Sequence, residues 1–285
     1  MPSKHLNNTA CLRTMPELPE VETIVRTLSP ALLGRNILAV AVRWPGCLHG
    51  ISARSFTQHL RGASIANITR RGKFLQFALS RKGRSRHMLL HLRMSGRLEL
   101  RRKTEPEATH DRLIFKLNNG MCLCFNDTRK FGRVYLVSSP SEVTDSLGPE
   151  PLSRELSEKV FFNMIRLKNA AIKPLLLNQT FLAGVGNIYA DESLWRAGIH
   201  PLRRSAGLSR PEVRRLLRAI RFTLSQAIRF HGTDAGDGVV DFGRYKPMVY
   251  GQTDAPCPRC RKAIRRMVVA QRGTHYCPYC QKARP

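Results

Sequence analysis

The chain has no apolar run approaching the roughly 18–20 residues that a membrane-spanning helix needs. Its start, Met1 to Thr14, lacks the apolar stretch of a secretory signal. No internal repeat or long low-complexity tract is present. A soluble, cytosolic protein is therefore expected. Acidic residues are scarce, with 20 Asp plus Glu against 48 Lys plus Arg, for a formal charge of +28. That imbalance is self-repulsive unless a polyanion is bound, so nucleic acid or an anionic membrane surface is the expected partner class. Association with DNA should fall steeply with salt, because each phosphate contact releases counterions.

The 285 residues, 42% of them apolar, suffice for one large domain or two small ones. Residues 1–14 read as a leader without periodicity. A helix is expected to start near Pro19, where Val21, Ile24, Val25 and Leu28 share one face, and Glu20 and Glu22 suit its positive end. From Ile37 to Val137 the signals are those of strands, among them Ile37–Arg43, Phe74–Leu79, Met88–Leu92 and Leu113–Leu117. Asn118-Asn119-Gly120 reads as a hairpin turn, and the regular turns suggest a β-sandwich. Residues 138–152 read as a linker rich in Ser, Pro and acids. Beyond them the period turns helical. The clearest helix begins near Ser209, with Val213, Leu216, Leu217, Ile220, Leu224, Ala227 and Ile228 along its apolar stripe. After His231 the chain is glycine-rich to Gly251, which reads as a mobile loop.

A cytosolic setting argues against disulfides, so clustered cysteines are read first as metal ligands. Cys257-Pro-Arg-Cys260 and Cys277-Pro-Tyr-Cys280 form two knuckles whose spacing fits one closed, structural zinc ion. The alternative, two redox pairs, needs a thioredoxin-like context that is missing. Cys11, Cys47, Cys122 and Cys124 lack this spacing and read as ordinary thiols. From Cys257 onward there are eight Lys or Arg and no Asp or Glu, which suits a hairpin gripping a phosphate backbone. Taken alone it fits an RNA-binding ribbon equally well. His87 and His91 lie in a strand-like run without further ligands and read as structural. Gly184-Val-Gly186 fails as a dinucleotide loop, because Tyr189 stands where the third glycine belongs.

Met15-Pro16-Glu17-Leu18-Pro19-Glu20-Val21-Glu22-Thr23 closely resembles the start of the formamidopyrimidine-DNA glycosylases. The resemblance continues through Arg70-Arg71-Gly72-Lys73, His91-Leu92-Arg93-Met94-Ser95-Gly96 and Asp127-Thr128-Arg129-Lys130-Phe131-Gly132. It then runs through Leu147-Gly148-Pro149-Glu150-Pro151-Leu152, Gly184-Val185-Gly186-Asn187-Ile188-Tyr189 and Ala270-Gln271-Arg272, in that order over nearly everything after Met15. It implies an α+β protein: an N-terminal catalytic β-sandwich flanked by helices (15–137), a helix–two-turns–helix domain (153–250) and a zinc-finger hairpin (251–285). It implies double-stranded DNA with oxidised bases, and no membrane, as partner, in a bacterial cytoplasm where DNA binding associates the protein with the nucleoid; one cleft working on one lesion suggests a monomer.

The same resemblance implies roles. The Pro16 nitrogen, exposed by removal of Met15, would attack the deoxyribose. Glu17 would act as general acid/base, Lys73 as proton donor or phosphate partner, and Arg272 would assist the second elimination. Asn187 and backbone N–H groups would hold a phosphate, joined by His110, Arg129, Lys168, Lys173 and Tyr250 at DNA-contacting positions. Met94, Arg129 and Phe131 match the trio that enters the duplex where a base has left the stack. Without the resemblance, Met94 and Phe131 read as core and Lys73 as a solvated cation. Two departures bear on this reading. Fourteen residues precede Met15, so translation is expected to start there. The segment 232–249 diverges, keeping little beyond Gly232-Thr233 and Asp241-Phe242, which leaves oxidised pyrimidines open as substrates, as in the related endonuclease VIII group. Two other classes stay open: a zinc-ribbon protein that binds damaged DNA without catalysis, favoured if the leader is retained, and an RNA- or ribosome-binding protein.

Overall fold

In the computed structural model, residues 15–233 and 243–283 are described, so the leader and the loop motif Asp241-Phe242 lie outside the described residues. Helix α1 spans Leu18–Leu32, one residue earlier than its proline suggests. Glu17 occupies the N-cap, and its backbone N–H donates to Glu20 Oε2 at 2.9 Å, which satisfies one of the helix's free amides. Val21, Val25, Leu28 and Leu32 enter the core of the sandwich, whereas Leu18 enters the core of the helical half. One helix thus belongs to two cores and sets the junction between them.

The sandwich follows. Its strands are β1 (Ile37–Val42), β2 (Leu48–His49), β3 (Ser64–Arg71), β4 (Phe74–Arg81), β5 (Arg84–His91), β6 (Gly96–Arg102), β7 (Asp111–Leu117), β8 (Met121–Asp127) and β9 (Arg133–Val137). One sheet has the order β1-β7-β8-β6 and the other β2-β9-β5-β4-β3, with only the β2–β9 pair parallel. Alternating side chains fill the space between the sheets, Leu75, Phe77 and Leu79 from β4 and Leu113, Phe115 and Leu117 from β7. The Asn118–Gly120 turn joins β7 to β8 as expected. A helix, α2 (Ala53–Leu60), interrupts what reads as a purely strand-like run. Ser52 caps it, accepting from Ser55 N at 3.2 Å, and Phe56 and Leu60 bury one helical face.

Next come α3 (Ser141–Thr144), α4 (Glu158–Arg166), α5 (Ile172–Leu177), α6 (Asn187–Ala197) and α7 (Arg210–Arg229). Helix α7 starts where the sequence indicates, closed by a reciprocal Ser209–Glu212 capping box. The segment 138–152 is no slack tether. It carries α3, and its glutamate is bonded across the junction, as shown below. The chain ends in a hairpin of β10 (Arg265–Val269) and β11 (Arg272–Tyr276). No helix among the described residues is long and apolar enough to cross a membrane.

Candidate active site and DNA-facing elements

The start of α1 is pressed against the turn that begins α6. Gly184 has φ +85°, a conformation suited to glycine, and a Cβ there would lie 2.8 Å from Leu18 Cβ. A Cβ on Gly186 would fall 2.2 Å from Glu17 Cδ, so the glycine at 186 makes room for that carboxylate. The two glycines therefore permit a close approach to α1. Glu17 Oε1 accepts from Ile188 N at 3.0 Å, at the positive end of α6, while Oε2 is buried with no hydrogen-bond partner among the described residues. Burial pushes the Glu17 carboxyl up to about 7, opposed chiefly by the nearby Lys73 ammonium. At neutral pH such a group both donates and accepts protons. Pro16, half-buried, stands directly before it.

Glu20, which from sequence suits the helix start and by resemblance also the orientation of the site, is part of this seat. Its Oε1 accepts from Tyr189 Oη and from Thr233 N, the latter at 2.9 Å. It thereby ties α1 to α6 and to the chain leaving α7. Burial raises its carboxyl as well.

Lys73 sits, with Gly72, in the tight turn between β3 and β4. Burial lowers its ammonium, partly offset by Glu17 and Glu20, and Arg272 lowers it further. The turn itself is clamped. Arg70 donates to both oxygens of Glu150 at 3.0 and 2.8 Å, Arg71 to Oε1 at 3.1 Å, and Gly72 N to Oε1 at 2.6 Å. Arg71 also reaches the carbonyls of Leu147 and Gly148 at 2.9 and 2.7 Å. The two motifs that flank Lys73 and the connecting segment are thus halves of one lock across the junction. The two guanidiniums and the amide together hold Glu150 below its usual carboxylate range despite burial.

Lys173, expected on the DNA face, is 0% exposed. Its ammonium pairs with Asp191 Oδ1 at 2.6 Å and donates to Thr274 Oγ1 at 2.8 Å and Gly273 O at 3.0 Å. Asn187 Nδ2 donates to the same Gly273 carbonyl at 3.0 Å, and Ile188 N–H is taken by Glu17. Both side chains thus point to the hairpin residue after Arg272; the Lys173 ammonium is fully buried there, whereas the single bond to Gly273 does not exhaust the two N–H groups of the Asn187 amide. The two-residue turn before Arg272 holds Ala270 and Gln271 at φ +47° and +59°, a left-handed conformation usually given to Asn-Gly. That turn presents Arg272 outward, exposed, within electrostatic reach of Lys73 and Lys173.

The four cysteines fit the metal predicted for them. Their sulfurs all lie within 4.8 Å of one another, with Cys257–Cys280 at 3.9 Å and Cys260–Cys277 at 3.4 Å. Zinc–sulfur bonds near 2.3 Å in a tetrahedron give sulfur separations of about 3.8 Å. Trp195 Nε1 donates to Cys257 Sγ and the Cys280 amide to Cys277 Sγ, both at 3.4 Å, as thiolates require. His91 is no ligand. It accepts from Arg93 N at 3.0 Å, and burial drives its imidazole down to about 3, leaving it neutral.

Met94 and the pair Arg129 and Phe131 come from two loops, after β5 and after β8, and the structure brings them together. Arg129 Nη1 lies 3.5 Å from Met94 Sδ, and its guanidinium sits 4.8 Å from the Phe131 ring centroid. Phe131 is 45% exposed, so it is not core. Buried Asp127 anchors both loops, accepting from Ser95 Oγ at 2.5 Å, Gly132 N at 2.8 Å and Arg129 N at 3.2 Å. His110 and Lys168 are exposed. Tyr250 is half-buried, edge-on to His275 with centroids 5.1 Å apart.

Sequence reading missed Asp127, Asp191 and Glu192 as organisers. Glu192 accepts the amides of Met248, Val249 and Tyr250 at 2.9, 2.8 and 3.0 Å and so places Tyr250. Their signal was available. Acids are so few in this chain that two adjacent ones in the apolar, motif-bearing helix α6 call for buried partners.

Family models extend over the same regions. The formamidopyrimidine-DNA glycosylase N-terminal domain matches residues 15–134, the H2TH domain of that family 147–237, and the zinc finger found in FPG and IleRS 255–283. The chain belongs to the formamidopyrimidine-DNA glycosylase family. Members in Protochlamydia amoebophila and Pelotomaculum thermopropionicum are 40% and 42% identical, over 94% and 95% of this chain and all of each relative. A Lactococcus lactis family member solved with abasic-site DNA superposes with a TM-score of 0.87 at 36% identity, covering 94% of this chain and 100% of that one. A mutant of it bound to Fapy-dG DNA matches with a TM-score of 0.86 at 35% identity and the same coverage.

Proposed function

We propose that this glycosylase excises oxidised purines, 8-oxoguanine and formamidopyrimidines, from double-stranded DNA and then cuts the strand by β,δ-elimination, using the Pro16 nitrogen as nucleophile. Family membership makes it a DNA glycosylase for oxidised bases. The observation that carries the finer reading is the Glu17 carboxyl, raised to about 7 directly beside Pro16.

An α-amino group titrates near 8, well below the roughly 10.4 of lysine, so far more of it is neutral at pH 7. The neutral Pro16 nitrogen attacks C1′ of the sugar. The bond from C1′ to the base breaks, and its electron pair leaves with the base, which takes up a proton. The proline nitrogen then gives up its proton and its electron pair opens the C1′–O4′ bond, O4′ taking a proton from Glu17, so that a ring-opened iminium ion forms, an electron sink. A proton is lost from C2′ and the 3′ phosphate departs, after which a second elimination releases the 5′ phosphate. Glu17, part-protonated, supplies and accepts the protons at the sugar, and Lys73 assists or meets a phosphate. Arg272 reaches the phosphate from the hairpin and assists the second elimination. Lys173 is a positioning residue that holds Gly273 behind it, and Asn187 bonds the same carbonyl while its amide and the neighbouring backbone N–H groups meet a phosphate. When bound, zinc ties the hairpin through the four cysteines and, with four thiolates, leaves no open position for water. Met94 and Arg129 fill the space left by the extruded base while Phe131 wedges the opposite strand. His110, Lys168 and Tyr250 complete the DNA contacts, and one monomer serves one lesion.

The chemistry requires Pro16 to be the mature amino terminus. Mass spectrometry of the native protein is expected to show it. Borohydride should then trap a covalent adduct on a duplex with one 8-oxoguanine, and Pro16→Gly should lose or greatly slow excision. A protein with free Pro16 that yields no adduct overturns the reading. A second substrate class has support of its own: the Lactococcus lactis relative was also solved with DNA containing an oxidised pyrimidine. Paired duplexes carrying one lesion of each class measure the preference.

A further inference from the structure

The five-stranded sheet has two basic ends. One carries Lys73 and the Arg93–Met94 turn and belongs to the site above. The other is the β4–β5 hairpin, where Arg81 pairs with Arg84. Seven steps along β4 separate it from Phe74, roughly 23 Å at about 3.3 Å per residue. There the end of α2, with Gln58, His59 and Leu60, and the guanidinium-bearing Arg81, Arg84 and Arg86 line a cavity of about 250 Å³.

This charge is uncompensated. Between Glu22 and Glu99 the sequence holds 14 Lys or Arg and no Asp or Glu. Among the described residues none of Arg81, Arg84 and Arg86 has an ion pair, and the guanidinium of Arg84, unlike the other two, has no hydrogen bond. Arg81 Nη1 donates to Gln58 O at 2.6 Å, closing the carbonyl end of α2, and Arg86 Nη1 reaches Ser138 Oγ at 3.3 Å. The end of a short helix offers about half a negative charge, too little to offset three guanidiniums and their neighbours Arg61 and Lys82. Converging guanidiniums around a concavity suit an oxyanion, and phosphate takes their paired N–H groups. A single free ion would neutralise only part of the patch, whereas a phosphodiester backbone tracks along it.

We infer that this cavity is a second phosphate-binding site, taking the backbone of a second DNA duplex while the first lies in the catalytic cleft. The inference rests on the DNA-binding reading above and extends it. Two anchored segments allow the protein to pass from one to the other without full release. The test uses the full chain and the double variant Arg84→Ala/Arg86→Ala. Sedimentation with a short undamaged duplex at low salt should show two duplexes per parent molecule and one per variant. The second duplex should bind about tenfold more weakly in the variant at physiological salt, with the salt slope reduced by about two. Inorganic phosphate at matched ionic strength should compete for the second duplex. Excision of 8-oxoguanine from a short duplex should be unchanged. One duplex on the parent, two on the variant, or excision lost in step with binding would each overturn the inference. So would phosphate uptake without a second duplex. Absent excision by both proteins would instead sink the catalytic reading, with the stoichiometry still deciding this one.

Discussion

Two glutamates at the domain junction lie a few residues from the same lysine in space yet are treated oppositely. Glu150 is met by two guanidiniums and an amide, and its carboxyl is held low. Glu17 is more deeply buried, keeps one oxygen unpartnered, and its carboxyl rises to about 7. Full satisfaction makes a lock that stays charged. Incomplete satisfaction stores free energy in a group that exchanges protons near neutrality. The same polar residue type thus serves structure in one place and chemistry in the other, the difference lying in who faces it.

Substitution of Glu17 sharpens this contrast most. Glu17→Gln keeps an acceptor for Ile188 N–H but cannot exchange a proton, and excision is expected to fall about 10²–10⁴-fold. Stability should move the other way. The native group is raised from 4.5 to about 7, so between those values the unfolded chain ionises first and stability drains as pH rises. The full cost, on the order of 3 kcal/mol, is present above pH 7 and absent below about 4.5. Thermal unfolding at pH 8 and pH 4.5 should show the variant stabilised only at the higher pH; equal melting shifts at both would break the comparison.

Lys173→Met comes next. It leaves buried Asp191 without its ammonium and with only His275 as partner, at an expected cost of about 3–5 kcal/mol. It also frees Gly273, so strand cleavage should slow more than base release. Product analysis showing both slowed equally would remove Lys173 from the positioning of Arg272. Glu150→Gln is a smaller perturbation of about 2 kcal/mol, because the pair keeps some solvent contact. Its carboxyl is depressed, so its stabilisation is present above about pH 4.5 and lost as pH falls through the lowered native value. Denaturant titrations should therefore show the Glu150→Gln deficit shrinking in acid, the reverse of the Glu17→Gln gain. The smallest effect is expected from Ala270→Gly, which relieves a left-handed turn and should stabilise the hairpin by up to about 1 kcal/mol. A destabilised hairpin in amide exchange would contradict it.

Much of the architecture was readable beforehand. Short strand-like segments between regular turns marked strands such as β4, and the helical apolar stripe with Ser209 marked α7. Helix α2 escaped because its eight residues carry only two buried apolar positions, too few for periodicity to register. The linker reading of 138–152 was compositional, and composition is blind to Glu150 finding Arg70 from 80 residues away. Met94, Arg129 and Phe131 were assigned by resemblance; their mutual contact and their exposure depend on Asp127 pinning two separate loops.

By itself the sequence determined the polyanion-seeking charge, the four-thiolate spacing and the order of the motifs. These are matters of composition and local spacing, which short-range chemistry suffices to interpret. Only the tertiary structure decided that Lys173 faces inward to Asp191, that Gly186 exists to admit the Glu17 carboxylate, and that this carboxyl titrates near neutrality. Each of those depends on burial and on partners distant in the chain, and desolvation has no meaning until the chain has folded around the group.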